Sequence, residues 1–168
     1  MKTASILALA LAPSTLARPH VHKRECSPLP SGHGPVPDTD SASGFLSYGA
    51  LTESAKLAGL PRGYTKAFTN LQGSTQGEGY MVHTILDSYS EDACAKQCDS
   101  EDRCLSFNIY YERSPSLNPG ANCTDPVSTT LIKCALWGVE ISAETATNVG
   151  QWRGDFHIVI TGSNGYNK

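Results

Sequence analysis

The chain is short of positive charge and of long apolar runs, and both shortages narrow what it can do. Among 168 residues, 13 Lys and Arg face 16 Asp and Glu, a formal net charge of −3, and no stretch gathers the basic ones together. Affinity for nucleic acid comes largely from cations set on phosphates, so nucleic acid is not an expected partner. Anionic membrane surfaces are disfavoured for the same reason. No apolar run approaches the roughly 20 residues that a membrane-spanning helix needs, so no membrane insertion is expected. No fixed-period repeat is visible, which argues against a solenoid. Familiar catalytic signatures are also missing: there is no GxSxG and no HExxH, and no CxxC or HxxxH that would seat zinc. The glycine-rich stretches 73–79 and 162–165 lack the strand-to-helix setting of a phosphate loop and read as turns. No metal, cofactor or catalytic residue is implied.

What is present begins with export. Lys2 precedes the apolar stretch Ile6 to Ala12, and the small side chains of Thr15 and Ala17 suit signal peptidase, so residues 1–17 read as a signal peptide. Residues 18–24 (RPHVHKR) end in Lys23-Arg24, which resembles the dibasic processing site of fungal secretory pathways, so they read as a propeptide. Their removal would leave 9 of the 13 basic residues against all 16 acidic ones, a net charge near −7, in a chain whose length suits one domain. All six cysteines lie beyond that point. An even number in an exported chain reads as three disulfides, but six cysteines permit 15 pairings and their spacing does not choose among them.

Residues 26–44 are rich in Pro, Gly, Ser and Asp with little to bury, so 25–62 read as an extended arm, tied down only through Cys26, with a weak helix over Phe45 to Leu60. From residue 63 the texture changes. Tyr64 to Leu71, Tyr80 to Leu86, Cys104 to Glu112, Leu131 to Trp137 and Phe156 to Thr161 read as strands, about five in all. Ser90 caps a helix running to about Asp99, with Glu91 and Asp92 at the positive end of its dipole. Ser142 to Asn148 reads as a second short helix. Cys94 and Cys98 stand four apart, so both sulfurs leave one helical face, which must look at the sheet. Over Cys104 to Glu112 one parity holds Leu105, Phe107, Ile109 and Tyr111, and the other holds Ser106, Asn108, Tyr110 and Glu112.

The run SEDACAKQCDSEDRCLSFNIYYER, with its C-x3-C-x5-C-x2-F spacing, and the later LIKCALWG resemble the core of the PAN/apple domain family, in particular its fungal secreted members. The likeness covers about residues 64 to 162. It implies an α+β fold: an antiparallel sheet of about five strands with one disulfide-stapled helix, over residues 63–168. It also implies the pairs Cys98–Cys104 and Cys94–Cys134, which by chain entropy contribute about 2 and about 4 kcal/mol. With those assigned on the resemblance, Cys26 and Cys123 are left to each other, which would pin the arm to the loop 114–126. Asn122-Cys123-Thr124 in that loop is a glycosylation sequon, making Asn122 a candidate glycan site.

The function implied by the resemblance is a secreted, monomeric, non-catalytic module that binds carbohydrate or protein at or outside the cell wall. Animal apple-domain ligands do not transfer, because the arm and the loop 114–126 depart from those domains. Tyr110 shares strand parity with Asn108 and Glu112, a mixed aromatic and polar face suited to sugar hydroxyls, and Arg113 joins them as a candidate ligand-binding residue. Trp152 with Arg153 is the second candidate pair, while Trp137 and Tyr111 read as core. Two alternatives stand beside this reading. One is a structural wall-associated protein. The other is a small secreted hydrolase, since His83, Glu112, Arg153 and His157 match in type and order the catalytic set of the fungal guanyl-specific ribonucleases. Arg153 and His157 are closer together than in that family, and the flanking motifs differ.

Overall fold

The computed structural model describes residues 25–168. The expected signal peptide, 1–17, and propeptide, 18–24, lie outside the described residues. Two short helices, α1 (Ala42–Ser47) and α2 (Gly49–Leu57), precede strands β1 (Thr65–Leu71) and β2 (Tyr80–Leu86). Helix α3 (Glu91–Asp99) follows, then β3 (Ser106–Pro115), β4 (Ser128–Trp137), a 3-10 turn at Ala143–Thr145, β5 (Gly150–Arg153) and β6 (Phe156–Asn167). The strands form one antiparallel sheet in the order β1-β6-β3-β4-β2, with β5 paired to the first part of β6. No helix among the described residues is long and apolar enough to cross a membrane.

All three helices pack on one face of this sheet, and the main core lies between. Ser90 opens α3 by accepting from the Ala93 N–H, and Glu91 and Asp92 fill its first turn. Its inner face carries Cys94 and Cys98, both fully buried; Cys94 bonds to Cys134 in the middle of β4, and Cys98 to Cys104 just before β3. Phe107, Ile109 and Tyr111 of β3 meet Phe45 and Leu51 of the N-terminal helices there. Tyr166 stacks on Phe107 and Tyr89 on Tyr111, each pair with ring centroids 4.8 Å apart.

Several expectations need correction. The sheet has six strands, not about five, because Gly150–Arg153 forms β5 in a hairpin with β6. The glycine-rich stretch at 162–165 is not a turn: β6 runs through it to Asn167. A one-residue bulge makes this possible, since Ile109 pairs with Asn164 but Tyr111 with Thr161. Gly162 holds the bulge at φ +58°, where an added Cβ would stand 2.9 Å from the Tyr111 ring and 3.0 Å from the Leu51 carbonyl. The expected helix over 45–60 is two helices, parted at Tyr48, whose extended backbone ends α1 and begins α2. The 142–148 helix shrinks to one 3-10 turn, closed by a capping box between Ser142 and Thr145.

The arm is neither free nor held by Cys26 alone. Its Cys26–Cys123 disulfide is followed by Leu29 N–H to Ser116 O, Gly32 N–H to Thr129 Oγ1 and Gly34 N–H to Thr130 O, so its peptide groups are satisfied against the ends of β3 and β4. Asp40 completes the fastening through Arg113 Nη2 at 2.7 Å and the Ser128 N–H at 3.0 Å. Residues 25–62 therefore belong to the same packed unit as 63–168, since α1 and α2 supply core side chains to the sheet.

Candidate functional site

The sheet face turned away from α3 carries a groove of about 450 Å³, within the range of small-molecule sites, roughly 300–1,000 Å³. Strand parity builds it. Cys134 points at α3, so its neighbours Lys133 and Ala135 must face the other way, with Leu131 two residues back. Across the sheet, β3 presents Tyr110, Glu112 and Ser114, β2 presents His83 and Ile85, β6 presents Ile158 and Ile160, and β5 presents Gln151 and Arg153. Gln76 and Asn148 form a rim on one side, and Leu29 and Pro30 of the arm form part of another.

An ion pair lies at the centre. Lys133 Nζ donates to Glu112 Oε2 at 2.7 Å, with side chains only 15% and 10% exposed, and Ser114 Oγ donates to Glu112 Oε1 at 2.5 Å. Both carboxylate oxygens are thereby engaged. His83 reaches the Tyr80 hydroxyl through Nδ1 at 2.7 Å. Burial and the Lys133 ammonium hold its imidazole below the ordinary histidine value, with Glu112 pulling weakly the other way. Burial pushes the Tyr110 hydroxyl well up, and the Glu112 charge adds to the effect. Arg153 lines the far end and donates through Nη2 to Asn118 Oδ1 at 2.6 Å, which joins the groove to the loop that Cys123 anchors.

The residues chosen from sequence are distributed as follows. Glu112 and Arg153 come together in the groove, and Tyr110 lines an adjoining pocket that shares Glu112 with it. Asn108 has the same parity but is fully buried, its amide accepting from the Thr75 N–H and donating to Ser163 Oγ and the Asn164 carbonyl. Arg113 lies on the opposite face, where it holds Asp40, donates to the His157 carbonyl and sits 4.1 Å from the Phe156 ring centroid. Trp152 is separated from Arg153 by strand alternation; 65% exposed, it stacks on His157 at 4.1 Å, so His157 also lies apart from the groove. Glu112 and Arg113 do not end a strand in water, for both are buried within β3. Asn122 is exposed in a tight turn closed by reciprocal backbone bonds between Gly120 and Cys123.

Lys133 and Gln151 are the groove residues that the sequence reading overlooked. Lys133 had a signal: a lone charge inside the apolar run LIKCALW, one place from a cysteine whose direction was already assigned. Gln151 had none, because its strand was not foreseen. Among the described residues no group of three or more His, Cys, Asp and Glu side chains could hold a metal ion. Comparison with family models, with curated proteins and with solved structures finds no match for this chain.

Proposed function

We propose that the chain is a secreted, non-catalytic binding module of PAN/apple-like kind, whose groove across β2, β4, β3, β6 and β5 takes a carbohydrate outside the cell. The observation that carries this reading is the groove itself: fixed polar side chains centred on the Glu112 and Lys133 pair, beside apolar walls from Ile85, Leu131, Ile158 and Ile160. Sugars present the same mixture, hydroxyl edges and apolar ring faces. A rigid sheet floor also limits the ordering cost of binding. Three disulfides support the extracellular assignment, and the helix stapled to the sheet supports the kinship. Retention of the purified chain on chitin, β-glucan or cellulose, followed by a glycan array, tests the reading. Retention that a soluble oligosaccharide competes away, and that Gln151→Ala weakens, is the expected result. A chain retained on no glycan, but captured by an extracellular protein, would count against it.

One observation favours a second reading as a small hydrolase. His83, Glu112 and Arg153, far apart in sequence, line one groove, and a base, an acid and a cation would suffice for phosphodiester cleavage. Against it, both Glu112 oxygens are occupied and His157 is not among the lining residues. Cleavage of a ribo-oligonucleotide by the wild-type chain, lost in His83→Ala, would establish this reading in place of the first.

A further inference from the structure

The charged groups of the groove have more spare donors than spare acceptors. Glu112 Oε1 and Oε2 each already accept one hydrogen bond, from Ser114 and Lys133. Asn148 is engaged on both sides of its amide, donating to Ser74 Oγ and accepting from the Gly150 N–H. By contrast, a guanidinium carries five N–H donors, and that of Arg153 makes one side-chain hydrogen bond. An ammonium carries three, and that of Lys133 makes one. Free side-chain amides at Gln76 and Gln151 serve either kind of partner and do not discriminate.

Charge points the same way. The charged groups lining the groove are two bases, Lys133 and Arg153, and one acid, Glu112, on a chain with an acidic excess. His83, held below the ordinary histidine value first by burial and then by the Lys133 charge, adds no negative charge to offset them. These donors are also spread out. Arg153 lines the groove on β5, and Lys133 lines it on β4.

We infer that the groove selects an acidic oligosaccharide, one bearing uronic-acid carboxylates on successive rings, over its neutral counterpart. The inference rests on the carbohydrate reading above. One carboxylate is taken by the Arg153 fork, which matches carboxylate geometry, and the Lys133 ammonium serves a further acceptor along the chain. A single small anion would leave one end of this donor row unused.

Calorimetric titration of the disulfide-intact chain with tetragalacturonate, tetraglucuronate and their methyl esters tests the inference, because esterification removes charge and leaves ring shape and hydroxyls in place. At least one acid should bind about tenfold or more tighter than its ester, one charge-assisted contact being enough for that ratio. The difference should shrink between about 20 mM and about 500 mM NaCl as screening sets in. Arg153→Gln should lower acid affinity about tenfold and so narrow the gap between acid and ester. Equal binding of acids and esters overturns the inference and leaves the carbohydrate reading standing; failure on every saccharide, the array included, removes both. A ribo-oligonucleotide of equal charge bound as tightly as the uronates overturns it too, by making the groove a general anion site. Should Arg153→Gln fail to fold, the acid and ester comparison on the wild-type chain still decides.

Discussion

Lys133→Met is the perturbation that most directly probes the centre of the groove. Methionine keeps most of the stem and deletes the ammonium, so Glu112, 10% exposed, is left with the Ser114 hydroxyl as its one side-chain donor. Removing one partner of a buried ion pair costs about 3–5 kcal/mol, because the remaining charge stays desolvated. Since this pair borders a groove, the lower figure applies, and about 3 kcal/mol corresponds to a fall of about 9 °C in Tm for a domain of this size. Glu112→Gln should cost less, about 1–2 kcal/mol, since the amide oxygen still accepts from Ser114 and the flexible Lys133 stem can carry its charge toward groove water. The double variant should cost about as much as Lys133→Met alone and not the sum of the two, a coupling of about 1–2 kcal/mol in the double-mutant cycle. Urea denaturation followed by tryptophan fluorescence and by circular dichroism gives these numbers and checks that the two probes coincide. A Lys133→Met loss below about 0.5 kcal/mol would place the pair among ordinary surface contacts and refute the buried-centre argument.

Gly162→Ala should destabilise by at least about 1–3 kcal/mol in urea, because it combines a positive φ with a Cβ crowded by Tyr111 and Leu51. Burial pushes the Asp40 carboxyl up, but the Ser128 hydroxyl and N–H and the Arg113 guanidinium outweigh it, and the net pKa is below the ordinary value. Its contribution is therefore fully present above about pH 4 and is lost as pH falls through the depressed folded pKa; Asp40→Asn should remove that part of the acid-side slope in a series of melting curves. His83 should titrate below the ordinary histidine midpoint in NMR, and Lys133→Gln should move it upward; an unchanged midpoint would detach His83 from the Lys133 field. Cys26→Ser with Cys123→Ser opens a loop of sequence separation 97, worth about 4–5 kcal/mol by chain entropy. Arm hydrogen bonds should persist nonetheless, so amide exchange at Gly34 should stay slow if Asp40 holds the arm as described.

Most of the strands and the capped helix were legible because period-two alternation and a helix with cysteines four apart leave marks that one sequence can show, while their α+β, antiparallel arrangement was what the family resemblance implied. Less legible was what covers the second face of the sheet. Asn108 and Glu112 look solvent-facing by residue type, yet the loop that brings Thr75 to the Asn108 amide buries the first, and Lys133 and Ser114 neutralise the second. Thr75 and Lys133 stand 33 and 21 residues from the side chains they engage, a relation that periodicity does not report. Arg113 was grouped with its neighbour Glu112 on residue type, although alternation alone would have sent it to the other face. β5 escaped notice because it has four residues and gains its place from pairing with β6, not from its own pattern.

The place of β6 reaches into how the polypeptide is made. The last strand in sequence lies inside the sheet, with β3 along one side and β5 and then β1 along the other. A ribosome delivering this chain therefore releases two halves that have no shared ladder until the final strand clears the exit tunnel and slides between them. Until then β1 and β3 expose open edges that invite wrong neighbours, and closure joins residues as distant as Thr65 and Asn167, a slow topology. Productive folding then depends on keeping the nascent chain unaggregated through that interval.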